Sequence, residues 1–264
     1  MRWLESTLDT TIAVWLLTGL VAGIADYGLG LGFGLAASIL LASLLGYDPR
    51  TVAAAAATAQ IATALPAVAV HRKSGNVGNA SGVQSTAATI AVSSSIAAAL
   101  TALAASGLPR DFVLSLYTIA LAVLLAAMAV AVLRPHNATI EARRSRVVAA
   151  TAGCIAGVEK ALIGGGFSAL IAAAQTLSGV SIKTAIALTP LVKLPAFIAV
   201  AAVYGIRGYL ELPHAAALTA GALASLPLAA ATLRRVGDRH LAAAVLAALL
   251  AAFVASVLRL VRHA

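Results

Sequence analysis

The sequence is poor in charged residues and has a single cysteine. Charged side chains make up 10% of the 264 residues, whereas soluble domains contain about 25%. No polar stretch is long enough to form a soluble domain. Because Cys154 is the only cysteine, an intrachain disulfide and a thiolate metal cluster are both excluded. The N-terminus lacks the basic region of a cleavable signal peptide, so we expect the first hydrophobic segment to direct targeting.

The residue groupings that build metal sites and enzyme active sites are also missing. The five histidines lie near segment ends, and none has a second ligand at metal-binding spacing. There is no Ser, His and Asp arrangement and no pair of carboxylates that suggests acid–base catalysis. The glycine-rich stretches have no βαβ pattern around them, so they are not nucleotide-binding loops. We predict that the protein has no metal, no cofactor and no enzymatic activity.

Apolar residues dominate the chain instead. They make up 61% of it, and the mean hydropathy is +0.99. This composition predicts an all-α, polytopic membrane protein in which residues 1–264 form a single membrane domain. The formal net charge of +9 does not indicate a nucleic-acid partner, because the basic residues lie mostly at segment ends, where they set topology. We expect a multi-pass protein of the cytoplasmic (inner) membrane, surrounded by the lipid bilayer, and we leave open whether it forms a homo-oligomer.

The apolar sequence divides into about eight segments. They cover residues 11–46, 50–70, 80–105, 112–133, 147–178, 183–204, 213–233 and 240–261. The first and fifth are much longer than the roughly 20 residues needed for one crossing. Both contain closely spaced glycines, each of which weakens a helix by roughly 1 kcal/mol relative to alanine. We therefore predict that these two segments break at their glycine-rich stretches, at 28–34 and at 164–166.

The second half of the chain repeats the pattern of the first. A displacement of 134 residues aligns Gly23 with Gly157, Gly30 with Gly164, Gly32 with Gly166, Phe33 with Phe167 and Asp26 with Lys160. A displacement of 133 residues aligns Gln60 with Lys193. These matches predict a duplication, with internal repeats at 11–133 and 147–262. The basic linker 134–146 joins the repeats, and we expect it in the cytoplasm.

The basic residues do not decide how the two halves are oriented. If each broken segment crosses the membrane once, the halves are parallel and the N-terminus is inside. If each broken segment returns to its starting side, the halves are inverted and the N-terminus is outside. Either arrangement places ten Lys and Arg residues inside and six outside, so the positive-inside rule leaves both open.

Lys193 is the strongest candidate for a substrate-binding residue. It lies in the middle of an apolar segment, between two prolines, and proline leaves a backbone carbonyl free for polar contacts. A charge at the centre of a membrane helix costs about 2.5–3.5 kcal/mol, so we interpret Lys193 as a fixed positive charge for an anionic substrate. Gln60, at the equivalent position, and Thr189 could hydrogen-bond the same ligand. The alternative is a structural ion pair between Lys193 and Glu159.

The glycine-rich breaks are the second candidate binding element. Exposed backbone N–H groups and the N-termini of half-helices attract anions. The candidate substrate-binding glycines are Gly30, Gly32, Gly34, Gly164, Gly165 and Gly166. Close helix packing through small residues is the alternative explanation for these glycines.

Three further ionisable residues, Asp26, Glu159 and Lys160, lie inside apolar segments. An ionisable residue within a membrane segment is a functional candidate by default. We interpret the three as candidates for coupling transport to protons. The alternatives are that Asp26 lies near a membrane surface and that Glu159 and Lys160 face water near the glycine break.

The glycine-rich stretches and the spans that follow them resemble the TauE/SafE sulfite exporter family. The stretches that carry the resemblance are GLGLGFG, DPRTVAAAAATAQI with HRKSGNV, IGGGF, and GVSIKTAIALTP with YGIRGYL. The resemblance covers about residues 14–260, and the first glycine stretch departs from it where Leu31 interrupts the glycine triplet. It implies a multi-spanning transporter that moves small anions, typically sulfur oxyanions or organosulfonates, across the cytoplasmic membrane.

We therefore expect a secondary transporter with a small anionic solute as its partner, and proton coupling is one hypothesis for its energy source. A non-transporting membrane assembly or receptor-like subunit is an alternative. A transporter of another small solute is a second alternative. A polar cavity that reaches Lys193 would favour transport.

Overall fold

The computed structural model contains helices and no strand within the residues that it describes. These are residues 2–78, 83–109, 142–163, 167–177 and 180–237, together with single helical positions between 112 and 119 and between 240 and 258. The predicted all-α architecture is confirmed.

The helical elements follow one another with few interruptions. In chain order they are α1 (Arg2–Gly23), a π-helical turn (Ile24–Gly28), α2 (Phe33–Ala37), a second π-helical stretch (Ser38–Leu44), α3 (Pro49–Lys73), α4 (Val83–Ser106), α5 (Ala142–Ile163), α6 (Phe167–Leu177), α7 (Ile182–Val192), α8 (Leu194–Ile206) and α9 (Leu212–Arg235).

Within the described residues, five stretches are long and apolar enough to cross a membrane. They are Thr10–Gly28, Pro49–Lys73, Ser85–Ser106, Ile182–Ile206 and Leu212–Arg235. The chain is therefore a polytopic membrane protein. Most of the predicted segments 112–133 and 240–261, and residues 134–141 of the predicted linker, lie outside the described residues. The rest of that linker is helical, because α5 begins at Ala142.

The first broken segment leaves one side of the molecule and returns to it. Its helix is interrupted at 30–32, where Gly30 and Gly32 have φ angles of 72° and 98°. Glycine is the residue that enters this region at low cost. The ring centroids of Trp15 in α1 and Tyr47 beyond the second π-helical stretch are 5.1 Å apart. Both ends of the segment therefore lie on one side, which we call the Tyr47 side.

The opposite side is marked by a contact between the loop that follows α3 and the start of α7. The helix α3 begins next to Tyr47 and carries the chain across to Lys73. Just beyond, the N–H of Gly78 donates to Thr184 Oγ1 at 3.0 Å. Because Thr184 lies in the first turn of α7, we call this the Thr184 side.

The second broken segment, formed by α5 and α6, starts and ends on the Thr184 side. The helix α5 runs along α4 in the same direction, since Gly153 faces Ile90 and Gly157 faces Ser94 one turn further along both helices. It therefore starts where α4 starts, and α6 leads back to the beginning of α7. The predicted break at 164–166 lies outside the described residues.

Each broken segment packs closely on a helix from the other half of the chain. A Cβ atom at Gly23 would overlap the side chain of Ser225 in α9, and a Cβ atom at Gly157 would overlap the backbone of Ser94 in α4. Small residues of this kind let membrane helices approach each other. Packing therefore explains this aligned glycine pair. The reciprocal contacts are what an inverted duplication would produce, and the duplication itself stays a prediction.

The helix α3 forms the wall against which the site-bearing helices pack. It contacts α7, α8 and α9. Its residues 52–57, one valine followed by five alanines, are all 0% exposed. These short side chains let α7 and α8 approach α3 closely, which holds Lys193 inside the protein.

Candidate functional site

Lys193 lies at the point where α7 gives way to α8, close to the midpoint of the 25-residue apolar stretch Ile182–Ile206. Pro190 and Pro195 flank it and lack the N–H groups that a continuous helix would use. The backbone nevertheless keeps a helical course, because the N–H of Lys193 bonds to the carbonyl of Thr189 at 3.1 Å. The side chain is 1% exposed. The sequence thus places an ammonium group at mid-membrane depth.

The ammonium group of Lys193 is paired with the carboxylate of Asp26. Lys193 Nζ lies 2.5 Å from Asp26 Oδ2 and donates a second hydrogen bond to Ser168 Oγ at 2.8 Å. Asp26 lies in the π-helical turn just before the first break and is 3% exposed. The alternative ion pair between Lys193 and Glu159 is therefore wrong, because the carboxylate at Lys193 comes from the other half of the chain.

Aromatic rings flank this ion pair. The ring centroids of Tyr27 and Phe197 lie 5.6 Å and 5.3 Å from Lys193 Nζ, within the range of cation–π attraction. The hydroxyl of Tyr27 is hydrogen-bonded to Thr63 Oγ1 on α3. The rings exclude water from the pair and add a favourable contact for the positive charge.

A small pocket surrounds the pair. Its lining residues are Asp26, Tyr27, Gly30, Ser168, Ile186, Thr189, Pro190 and Lys193. The walls lie so close together that no water molecule fits between them. The structure thus brings together three of the predicted substrate-binding residues, Lys193, Gly30 and Thr189, with the proton-coupling candidate Asp26.

Thr189 connects the pocket to a buried amide. Its hydroxyl donates to the carbonyl of Ala185 at 2.7 Å and accepts from Gln175 Nε2 at 3.2 Å. The other amide atom, Gln175 Oε1, is buried without a hydrogen-bond partner among the described residues. Gln175 was not a sequence candidate. It holds Thr189 from α6, the helix that also carries Ser168.

Several predicted binding residues are not part of this pocket. Gln60 is 2% exposed, but its Nε2 donates to the carbonyl of Ala56 on its own helix at 3.1 Å. Gly32 and Gly34 lie at the start of α2 and do not line the pocket. The predicted glycines Gly164, Gly165 and Gly166 lie outside the described residues.

Lys160 adjoins the site, whereas Glu159 does not line it. Lys160 Nζ lies 4.2 Å from the centroid of Phe197, the ring that Lys193 also approaches. Lys160 also interacts electrostatically with Asp26 and Lys193. Glu159 is fully buried, and both of its carboxylate oxygens lack a hydrogen-bond partner among the described residues.

Ser168 and Tyr27 are the two pocket residues with hydroxyl groups that sequence reasoning missed. Ser168 directly follows the stretch IGGGF and aligns with Gly34 at the displacement of 134 residues. A hydroxyl placed immediately after a predicted helix break is the signal that could have identified it. Tyr27 follows Asp26 in sequence, but only the three-dimensional fold shows that its ring faces Lys193.

The arrangement has the chemistry of an anion site. A buried ammonium and a neighbouring serine hydroxyl can both donate to an oxyanion. Among the described residues there is no group of His, Cys, Asp or Glu able to hold a metal ion.

Comparison with known proteins assigns the chain to a family. The sequence profile described as Sulfite exporter TauE/SafE matches residues 15–256, which is most of the chain. No curated protein and no solved structure gives a significant match. The family is one of membrane transporters, in agreement with the apolar helices and the buried charged pocket. The chain therefore belongs to the TauE/SafE sulfite exporter family.

Proposed function

We propose that the protein is a secondary transporter of small anions, namely sulfur oxyanions or organosulfonates. The observation that carries this proposal is the buried ammonium of Lys193, which donates to Asp26 and Ser168 at the midpoint of an apolar span. A charge at this depth costs about 2.5–3.5 kcal/mol, a cost that a purely structural helix has no need to bear. Membership of the family supports transport as the purpose.

In this proposal the substrate takes the position that the Asp26 carboxylate occupies beside Lys193. Ser168 and Thr189 supply hydroxyl groups. Gly30 has no side chain, so it takes up little of the space that the substrate needs. Asp26 is the favoured proton-coupling residue, because it alone among the acidic candidates lines the pocket. The roles of Gln60, Glu159, Lys160 and the remaining glycines stay predictions.

The orientation that fits best has the Thr184 side in the cytoplasm. Both broken segments return to the side on which they start, which supports inverted halves and an external N-terminus. The basic residues at helix ends on the Thr184 side are Arg72, Lys73, Arg143, Arg144, Arg146, Lys183, Arg234 and Arg235, against Arg2, Arg50 and Arg207 on the Tyr47 side. This distribution supports a cytoplasmic location for the Thr184 side and the linker, in a multi-pass protein of the cytoplasmic membrane.

Transport by purified protein in liposomes tests the proposal. Uptake is measured for sulfite, sulfate, thiosulfate, sulfoacetate and methanesulfonate, with wild type, Lys193→Ala and Lys183→Ala. We expect selective uptake by wild type, its loss in Lys193→Ala and its retention in Lys183→Ala, because Lys183 donates to the carbonyl of Arg234 at the surface and does not line the pocket. Uptake that survives in Lys193→Ala would remove Lys193 from the binding site. Absence of uptake for every anion by folded wild type would refute anion transport.

A further inference from the structure

We propose that Asp26 is a built-in competitor for the substrate at Lys193, so that each anion is carried together with one proton. This inference rests on the proposed anion transport and specifies how that transport is coupled to protons. A monovalent anion and its proton then move in the same direction without net charge. Asp26 is the only residue whose proton this mechanism uses.

The geometry makes the competition direct. An ammonium group has three protons to donate. In the structure Asp26 Oδ2, at 2.5 Å, and Ser168 Oγ, at 2.8 Å, accept two of them. Both ionic side chains are buried, and the pocket has no space for even a water molecule between its walls. An anion reaches Lys193 only if the carboxylate withdraws.

Charge balance then requires a proton. The empty site holds one positive and one negative group and is neutral. Addition of a monovalent anion alone would leave one uncompensated negative charge in a buried site, which is costly. If Asp26 takes up a proton from the solution on its Oδ2 when the pocket opens, its ion pair with Lys193 breaks and Lys193 Nζ donates to the anion instead. The loaded site is again neutral, and the sum of the steps is the entry of one anion and one proton.

The other titratable groups that face Asp26 do not remove this requirement. Lys193 contacts it from the α7–α8 junction, Tyr27 is its neighbour in sequence, and Lys160 on α5 and His71 on α3 interact with it electrostatically. Asn76 Nδ2 is a donor and lies 3.1 Å from His71 Nδ1, so this ring nitrogen accepts and is unprotonated. In this proposal Lys160 has the same charge in both states of the site. Asp26 is thus the group that changes between the empty and the loaded site.

The same reasoning predicts what remains when Asp26 cannot be charged. In Asp26→Asn, the empty site carries the uncompensated charge of Lys193, and the loaded site is neutral. The variant can exchange one anion for another but cannot return empty. Net uptake is expected to fall about a hundredfold relative to exchange. Exchange itself loses its dependence on pH.

The experiment measures protons and charge per transported anion in proteoliposomes. Uptake of methanesulfonate and of sulfate is driven by an acidic exterior, with the membrane potential clamped by potassium and valinomycin. Wild type should carry one proton with either anion, so methanesulfonate uptake is insensitive to potential and sulfate uptake moves one negative charge. Exchange of labelled for unlabelled anion is then compared with net uptake in Asp26→Asn. Asp48→Asn, the same chemical change at the Tyr47 side, is the matched control and should behave as wild type.

Each outcome bears on one of the two proposals. Anion uptake without a proton, or a methanesulfonate current in wild type, would overturn the coupling and leave anion transport standing. Equal rates of net uptake and exchange in Asp26→Asn would also overturn the coupling. Loss of both activities in an Asp26→Asn protein that elutes like wild type would overturn it as well. Failure of folded wild type to transport any anion of the panel would instead refute the proposed function.

Discussion

The ion pair between Lys193 and Asp26 makes a quantitative prediction about stability. Substitution of Lys193 by Met keeps a side chain of similar length but removes the charge, so the Asp26 carboxylate is left buried and unpaired. Loss of one partner of a buried pair costs about 3–5 kcal/mol. The effect of Asp26→Asn should be smaller, because the amide oxygen still accepts from Lys193 and the Ser168 bond at 2.8 Å remains.

The double variant Lys193→Met with Asp26→Asn should recover most of this loss. With both charges removed, no buried charge is left uncompensated, and the remaining cost is that of polar groups that have lost the Lys193 donor. We therefore expect the double variant to be more stable than Lys193→Met alone by about 2 kcal/mol or more. Acidification should also stabilise Lys193→Met, since a protonated Asp26 carries no charge.

Reversible unfolding by SDS in mixed micelles measures these free energies. The comparison pair is Arg50–Asp48, in which Arg50 Nη2 and Asp48 Oδ2 are 2.9 Å apart and the side chains are 12% and 30% exposed. Arg50→Met should cost less than Lys193→Met, because water still reaches the Asp48 carboxylate. Strict additivity of the two single changes at Lys193 and Asp26, at neutral pH, would refute the view that these charges stabilise each other.

Two further predictions concern the pocket and its support. Gly30→Ala should lower the free energy of unfolding by about 1–2 kcal/mol because of the left-handed backbone, and by more because the new Cβ would lie 2.9 Å from the Ile186 side chain. Gly75→Ala has the same backbone cost, but its Cβ would have no neighbour within 4 Å. Equal losses of free energy in the two variants, measured by SDS unfolding, would contradict the close approach of Gly30 to Ile186. Tyr204→Phe should cost about 1 kcal/mol in the same assay, because Tyr204 donates at 2.6 Å to the Ala161 carbonyl, and an unchanged free energy of unfolding would show that this bond contributes nothing.

The features that depend on local sequence could be predicted from the sequence alone. The length of the apolar segments predicted membrane helices, and the spacing of glycines predicted the region in which the helix is interrupted at 30–32. Lys193 could be singled out because a charge in the middle of an apolar stretch needs a reason. Each of these conclusions rests on the cost of placing a group in lipid, which depends on the residue and its immediate neighbours.

The pairing of the charges could not be predicted, because it depends on contacts between distant parts of the chain. The aligned repeats placed Gln60 opposite Lys193 and Asp26 opposite Lys160. In the structure Asp26 instead meets Lys193, and Gln60 bonds to its own helix. Positions that align between two parts of a sequence need not contact each other in the fold. Sequence alignment alone therefore gives candidate residues and not their partners.

The position of the ion pair explains how it can control access to the pocket. The wall residues come from three separate elements: Asp26 and Gly30 from the first broken segment, Ser168 from α6, and Lys193 from the junction of α7 and α8. The broken segments are held by glycine contacts to different helices, the first to α9 and the second to α4. A displacement of either segment that opens the pocket must therefore separate Asp26 or Ser168 from Lys193. Because a buried ammonium without a partner is costly, the open site is stabilised when water or an anionic substrate takes the vacated place.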